Sequence, residues 1–208
     1  MEALAADMPG NADPKRRRVL DGAMKVFLAY GFARTTMDDI ARAANVSRPA
    51  LYLLFRNKSE IYRAIAAAML SDSLVKADRA LSSRAAFGDR LMKMVEDCLI
   101  SMMRTISASP HGSEILDMKG SLAGDIAADW RRRLTERLAR AIEEEAAQNG
   151  VGLEARGISA VALADMLLDG LQGLKTRTLD PDGQRRGARA LVAIVETVLG
   201  VSGSGRSG

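Results

Sequence analysis

Apolar positions along this chain recur mostly at helical spacing. In residues 14–31, Leu20, Ala23, Met24 and Phe27 fall on one face of a helix that Pro14 is permitted to open and Gly31 to end. Thr36 stands three residues before Asp39, the spacing of a capping box with Asp in place of the usual Glu, and Met37, Ile40, Ala41 and Ala44 follow as a short apolar stripe. Asn45 tolerates the left-handed backbone found just past a helix end, Ser47 is a good N-cap, and Pro49 is accepted in a first turn. The pattern predicts two short helices joined by a tight turn over Asn45 to Ser47, both leaning on a longer first helix: a helix-turn-helix. Ala50 to Phe55 finishes the third helix, Arg56 and Asn57 break it, and Ser59-Glu60-Ile61-Tyr62 opens a longer one to about residue 80. Further helices are expected at 85–107, 113–119, 123–149, 156–178 and 182–200, separated by breaks such as Ser109-Pro110-His111-Gly112 and Asp180-Pro181-Asp182-Gly183.

Composition agrees with an all-α chain. Aromatic residues are scarce at 4%, whereas Ala, Leu, Arg, Glu and Met abound. No uncharged stretch exceeds nine residues, against roughly 18 for a membrane-spanning helix, so no membrane partner is expected. Residues 1–12 hold no apolar secretory core and the single Cys98 cannot form an internal disulfide, which places the expected location in the cytoplasm. Charge changes the picture more. Lys15 to Lys58 contains ten Lys and Arg against three Asp, a net +7, while the rest of the chain carries −3. A basic module for a polyanion, attached to a near-neutral body with another task, is one reading; solvated charged faces are the other.

The stretch Thr35 to Ile61, TTMDDIARAANVSRPALYLLFRNKSEI, resembles the DNA-binding domain of the TetR family of bacterial transcriptional regulators. The resemblance rests on Ala23, Phe27, Gly31 and Phe32, then Thr36, Ile40, Ala41, Ala44, Val46, Ser47, Leu51, Tyr52, Phe55 and Lys58, in the family's register without insertions. It covers about residues 14–62 and implies a flexible lead over 1–13, a helix-turn-helix domain over 14–62, a helical effector-binding and dimerisation domain over 63–200 and a disordered tail over 201–208, about nine helices in all.

The physics of the groove supports the same reading. A helix with its side chains is about 10–12 Å across and the major groove roughly 12 Å wide, so the first residues of an inserted helix touch base edges. Here those are Ser47, Arg48, Pro49 and Ala50. Arg48 suits guanine O6 and N7, with a phosphate contact as its alternative; Pro49 and Ala50 let the backbone approach and can meet a thymine methyl. By resemblance, Lys58 is the family's phosphate-contacting lysine, and Thr36 and Tyr52 are further phosphate contacts. One departure stands out: after the tyrosine the family commonly has an aromatic and then His, whereas this chain has Leu53 and Leu54. An exposed Leu53 offers only an apolar contact. The arm Lys15-Arg16-Arg17-Arg18 is either a reach to phosphate or minor groove or a solvated tail.

Beyond residue 63 the residues say less. Leu163, Met166, Leu167, Leu171 and Leu174 on one helix and Leu191, Val192, Val195, Val198 and Leu199 on the last form long apolar stripes. By resemblance these helices build a four-helix interface with a second subunit, through Leu167, Leu171, Leu174, Leu191, Val195 and Val198; intramolecular core explains part of each stripe. Met92, Met102, Met103 and Met118, with Cys98, His111, Trp130 and Met166, are the candidate lining of an effector cavity, an ordinary methionine-filled core being the alternative. The implied function is a ligand-responsive, sequence-specific regulator, a homodimeric repressor released from a palindromic operator by a small molecule. The alternatives are an effector-independent DNA-architectural protein and a small-molecule binder without DNA recognition. No cofactor is expected. One imidazole and one thiol give no catalytic triad and no metal cluster, and Gly170-Leu-Gln-Gly173-Leu-Lys175-Thr176 lacks Walker spacing, so neither a catalytic nor a metal site is expected.

Overall fold

The computed structural model describes residues 13–101, 106, 108–115, 122–177 and 180–201. Among these, every regular element is helical: α1 Pro14–Tyr30, α2 Met37–Ala43, α3 Arg48–Leu54, α4 Lys58–Leu81, α5 Phe87–Val95 running into a π-helical turn Glu96–Ile100, α6 Gly124–Gln148, a 3₁₀ turn Glu154–Arg156, α7 Ala160–Arg177 and α8 Pro181–Val198. Residues 112–115 add a short helical turn. The all-α expectation holds, and the described helices lie close to the expected ranges, although α7 starts at Ala160 and parts of the helices expected at 85–107 and 113–119 lie outside the described residues. The π-helical turn, unforeseen in the sequence, divides the helix expected at 85–107. Glu96 at its start accepts from Arg185 Nε and Nη2 of α8, both at 2.9 Å.

Packing divides the chain into two compact units, otherwise than a cut at residue 62 would. One comprises Met1–Ser73 with Met102–Trp130, the other Leu74–Ser101 with Arg131–Gly208. In the first, Val19, Leu20, Ala23 and Phe27 of α1, Ile40 and Ala41 of α2, Leu51 of α3, Phe55, and Ile61, Tyr62 and Ile65 of α4 form one core, which continues to Ile106, Ile115 and Ala123. The three helices at the amino terminus thus share their interior with a later segment. Tyr62 buries its ring there and donates its hydroxyl to the Ile115 carbonyl at 2.7 Å; burial pushes the phenol above its ordinary pKa. Gly22 lets α1 and α2 approach: a Cβ there would lie 2.7 Å from the backbone nitrogen of Ala44.

The second unit buries Leu91, Met94, Cys98, Leu134, Leu138, Ile142, Leu163, Leu167, Leu171, Val192 and Val195. This corrects the expected dimer interface. Leu167, Leu171, Leu174 and Val195 are buried within the protomer, and Leu191 and Val198 are half-buried. The physical reason lies in two glycines. A Cβ at Gly170 would come 2.8 Å from Leu191 Cδ1, and one at Gly187 would collide with Leu174, so each leucine of α7 or α8 packs on a glycine of the other helix. The side chains these helices leave outside are Val161, Met166 and Ile194, at least half exposed.

Candidate nucleic-acid interface

Local chemistry builds the helix-turn-helix. The Thr36 hydroxyl accepts from the Asp39 amide at 3.2 Å, and the Asp39 carboxylate accepts from the Thr36 amide at 2.9 Å, completing the capping box. Asp39 is held below the usual carboxylate range, first by the Thr36 hydroxyl and then by the Thr36 amide. Asn45 takes φ 51° and turns the chain between α2 and α3. Ser47 then caps α3 by accepting from the Ala50 amide at 3.3 Å. Inward, α3 is anchored by Leu51, with Phe55 just past its end, both essentially inaccessible.

Outward, the same helix presents Ser47, Arg48, Pro49, Tyr52 and Leu53, while Ala50 is half-buried. Thus the sequence-expected contacts Thr36, Ser47, Arg48, Pro49 and Tyr52 do lie exposed along one α2–α3 segment. Two of them already have intramolecular tasks: Ser47 and Thr36 are caps. Arg48 meets Asp38 of α2, which the sequence reading did not single out: Nη1 donates to Oδ2 at 3.0 Å and Nε lies 2.9 Å from Oδ1. Its guanidinium carbon lies 5.9 Å from the centre of the Tyr52 ring, the neighbour one helical turn on. The side chains of this pair are 61% and 50% exposed, so water screens their attraction and a strong external partner can displace it.

Lys58 does something other than expected. Its ammonium donates to three carbonyls, of Phe32 at 2.8 Å and of Ala33 and Thr35 at 3.0 Å, and sits 4.6 Å from the centre of the Phe32 ring. An ammonium has three N–H groups, and all three are engaged in closing the Gly31–Thr35 loop, so the phosphate contact implied by resemblance is not available to Lys58 in this arrangement. The loop is fastened from a second side as well. Glu114 accepts from the Ala33 amide at 3.0 Å, and the His111 amide donates to the Leu28 carbonyl at 3.3 Å. From the basic arm, Arg16 lies over the Phe55 ring at 4.2 Å and donates to the Leu54 carbonyl at 3.5 Å, which tethers α1 to the end of α3. No local spacing signals these clamps, because each joins residues at least 23 positions apart.

Part of the expected effector lining lies outside the described residues, and the rest is divided between the two units. Met102, Met103 and Met118 lie outside the described residues. Cys98 is fully buried and Met92 half-buried in the second unit, whereas Met166 is 61% exposed. His111 and Trp130 belong to the first unit, where His111 flanks Glu114 and the Trp130 indole donates to Ser73 Oγ at 2.7 Å. Methionines there follow the ordinary rule that a flexible thioether fills or covers what it meets. The second unit instead carries an open groove of about 720 Å³ lined by Lys76, Arg79, Ser83, Asp89, Lys93 and Asp97 among others, with Lys93 and Asp97 paired at 2.7 Å. Its residues come from α4, α5 and the turns beside them, and no sequence motif marks them. Among the described residues, no group of His, Cys, Asp and Glu is placed to hold a metal, and no helix is long and apolar enough to cross a membrane.

Residues 19–65 match the family of bacterial regulatory proteins described as the tetR family. Over 77 residues the chain is 32% identical to the HTH-type transcriptional regulator YhgD of Bacillus subtilis, and over 64 residues 39% identical to the HTH-type transcriptional regulator SrpR of Pseudomonas putida. These matches cover 37% and 31% of this chain and only 40% and 30% of the relatives' own length. Its fold is like that of SmeT, the repressor of the Stenotrophomonas maltophilia multidrug efflux pump SmeDEF, with a TM-score of 0.62 at 21% identity over 88% of both chains; SmeT in complex with triclosan matches with a TM-score of 0.60 at 20% identity over 89% of this chain and 91% of that one. The strong likeness in sequence is confined to the amino-terminal helices, and the likeness over the whole chain is one of fold. The likeness to the tetR family thus covers residues 19–65, and the rest of the chain is similar to these solved structures in fold alone.

Proposed function

We propose that this protein is a ligand-responsive transcriptional repressor that binds a palindromic operator as a homodimer. The observation that carries the reading is α3: a short helix capped at Ser47, anchored inside by Leu51, and presenting Arg48, Pro49 and Tyr52 outward. Such a helix enters a major groove with its first turn on the bases. Arg48 exchanges Asp38, an exposed pairing that water screens, for a guanine edge or a phosphate in the groove. Thr36 and Tyr52 flank it toward the backbone, while Lys58 supports the site by holding the Gly31–Thr35 loop.

Two-fold symmetry of the operator requires a second copy of the helix. Met166 on α7 and Ile194 on α8, with Ala190 and Ala193 beside Ile194, are the exposed apolar and small side chains that a partner's helices would cover. The effector belongs to the second unit. Its groove is lined by charged side chains of both signs, Arg79, Asp89 and the Lys93–Asp97 pair among them, which suits a polar compound. That SmeT forms a complex with triclosan supports a small-molecule effector for the same fold. Helix α4, which has residues in both units, is the element through which the effector biases the position of α3; this needs a differential affinity of about 1–3 kcal/mol between the two conformations.

Selection of bound duplexes from a random library by the purified protein tests the reading. A regulator recovers an inverted repeat preferred over random DNA by about 10³-fold or more, and Arg48→Ala relaxes the preference at one base position. Binding without preference would leave the architectural alternative standing.

A further inference from the structure

Leu53 is the most exposed large apolar side chain among the described residues, 87% open to solvent. It contributes nothing to the interior: α3 is held from within by Leu51 and, past its end, by Phe55. It follows Pro49 by one helical turn, so the two lie along one outward stripe next to the stripe of Arg48 and Tyr52. The same helix-turn-helix segment carries Arg42, Arg48 and Arg56, whose side chains are 79%, 61% and 89% exposed. An apolar knob among cations is matched by a polyanion that carries an apolar group at one defined place. The three arginines pair within the chain with Asp39, Asp38 and Glu60 through contacts that water screens, and a polyanion is the partner that adds to them; a bilayer would leave them facing hydrocarbon around a single leucine. Duplex DNA supplies phosphates for the arginines, and the apolar group displayed on a base edge in its major groove is the C5 methyl of thymine.

We infer that Leu53 is a specificity-determining residue that selects a T·A pair by packing on the thymine methyl. The inference rests on the DNA-recognition reading above and extends it to a residue with no hydrogen-bonding group. Leu53 lies five residues beyond Arg48, about 7.5 Å along the helix at 1.5 Å per residue, so the selected thymine is a different base from the one that Arg48 reads.

The test uses the site recovered by library selection and duplex probes in which each thymine is replaced, one at a time, by uracil, which removes the methyl and leaves the pairing edge unchanged. For the full-length native protein, uracil at one position in each half of the site weakens binding about four-fold, the value of one buried methyl-sized group. Leu53→Ala, which removes only exposed atoms and so keeps the fold, binds the thymine and uracil probes equally, with the slope of affinity against salt unchanged because no phosphate contact is lost. Leu53→Ala retaining the full discrimination, or the native protein responding to uracil at no position, overturns the inference while leaving the operator intact. Recovery of no preferred site at all overturns both this inference and the reading on which it rests.

Discussion

The amino-terminal helix-turn-helix and the α7–α8 pair answer differently to the same kind of reasoning. In the first, the caps at Thr36 and Ser47 and the left-handed Asn45 stand where residue chemistry places them. In the second, stripes of comparable regularity suit either a partner subunit or the protomer's own core, and most of their residues are buried in that core. A cap or turn is decided within four residues, so the sequence contains the whole interaction. An apolar stripe states only that something covers it, and an intramolecular helix and a second subunit cover it equally well.

The largest effects should come from testing this difference directly. Leu171→Ala removes a buried side chain and is expected to lower protomer stability by about 2–5 kcal/mol in denaturant unfolding. Ile194→Arg, at a position 57% exposed, should leave protomer unfolding nearly unchanged but shift sedimentation toward the monomer. The opposite pairing of results would restore the interface expected from the stripe. Within the amino-terminal unit, Gly22→Val pushes against the Ala44 backbone and is expected to cost about 1–3 kcal/mol, read as a lower denaturation midpoint.

A smaller effect separates the two readings of Lys58. Lys58→Ala removes three hydrogen bonds to carbonyls and should cost about 1–2 kcal/mol in thermal unfolding, whereas a phosphate contact would lower the salt slope of DNA binding by about one with stability intact. The smallest is a matter of pH. Hydrogen bonds from Arg63 hold the Asp125 carboxyl at about 2, below its ordinary 3.8. The charged form is favoured in the fold, so this contribution is complete above the ordinary value and is lost as pH falls through about 2. The melting temperatures of the native protein and of Asp125→Asn should therefore differ near neutral pH and converge as pH approaches 2; a constant difference would remove Asp125 as the cause.

Most of the candidate interface could be read from residue order alone, because Ser47, Arg48, Pro49 and Tyr52 occupy consecutive turns of one short helix. What escaped were its supports. Asp38 against Arg48, Arg16 against Phe55, and Glu114 against Ala33 join residues 10 to 81 positions apart, and no local spacing encodes such pairs. Lys58 escaped for a related reason: resemblance supplies a residue's type and register but says nothing about which carbonyls surround its ammonium once the loop has closed. For the effector lining, residue order does not state which helices meet, and Met102, Met103 and Met118 lie outside the described residues.

By itself, residue order determined the helical class, the capped turn between α2 and α3, the basic amino-terminal region and the outward placing of Arg48, Pro49 and Tyr52. These follow from hydrogen bonds and periodicities that span at most a few turns. Tertiary structure alone decided that α7 and α8 cover each other, that the amino-terminal helices share a core with Ile106, Ile115 and Ala123, and that Leu53 stands in solvent. Burial is a property of which distant surfaces meet, and chain order does not state that meeting until the backbone has folded.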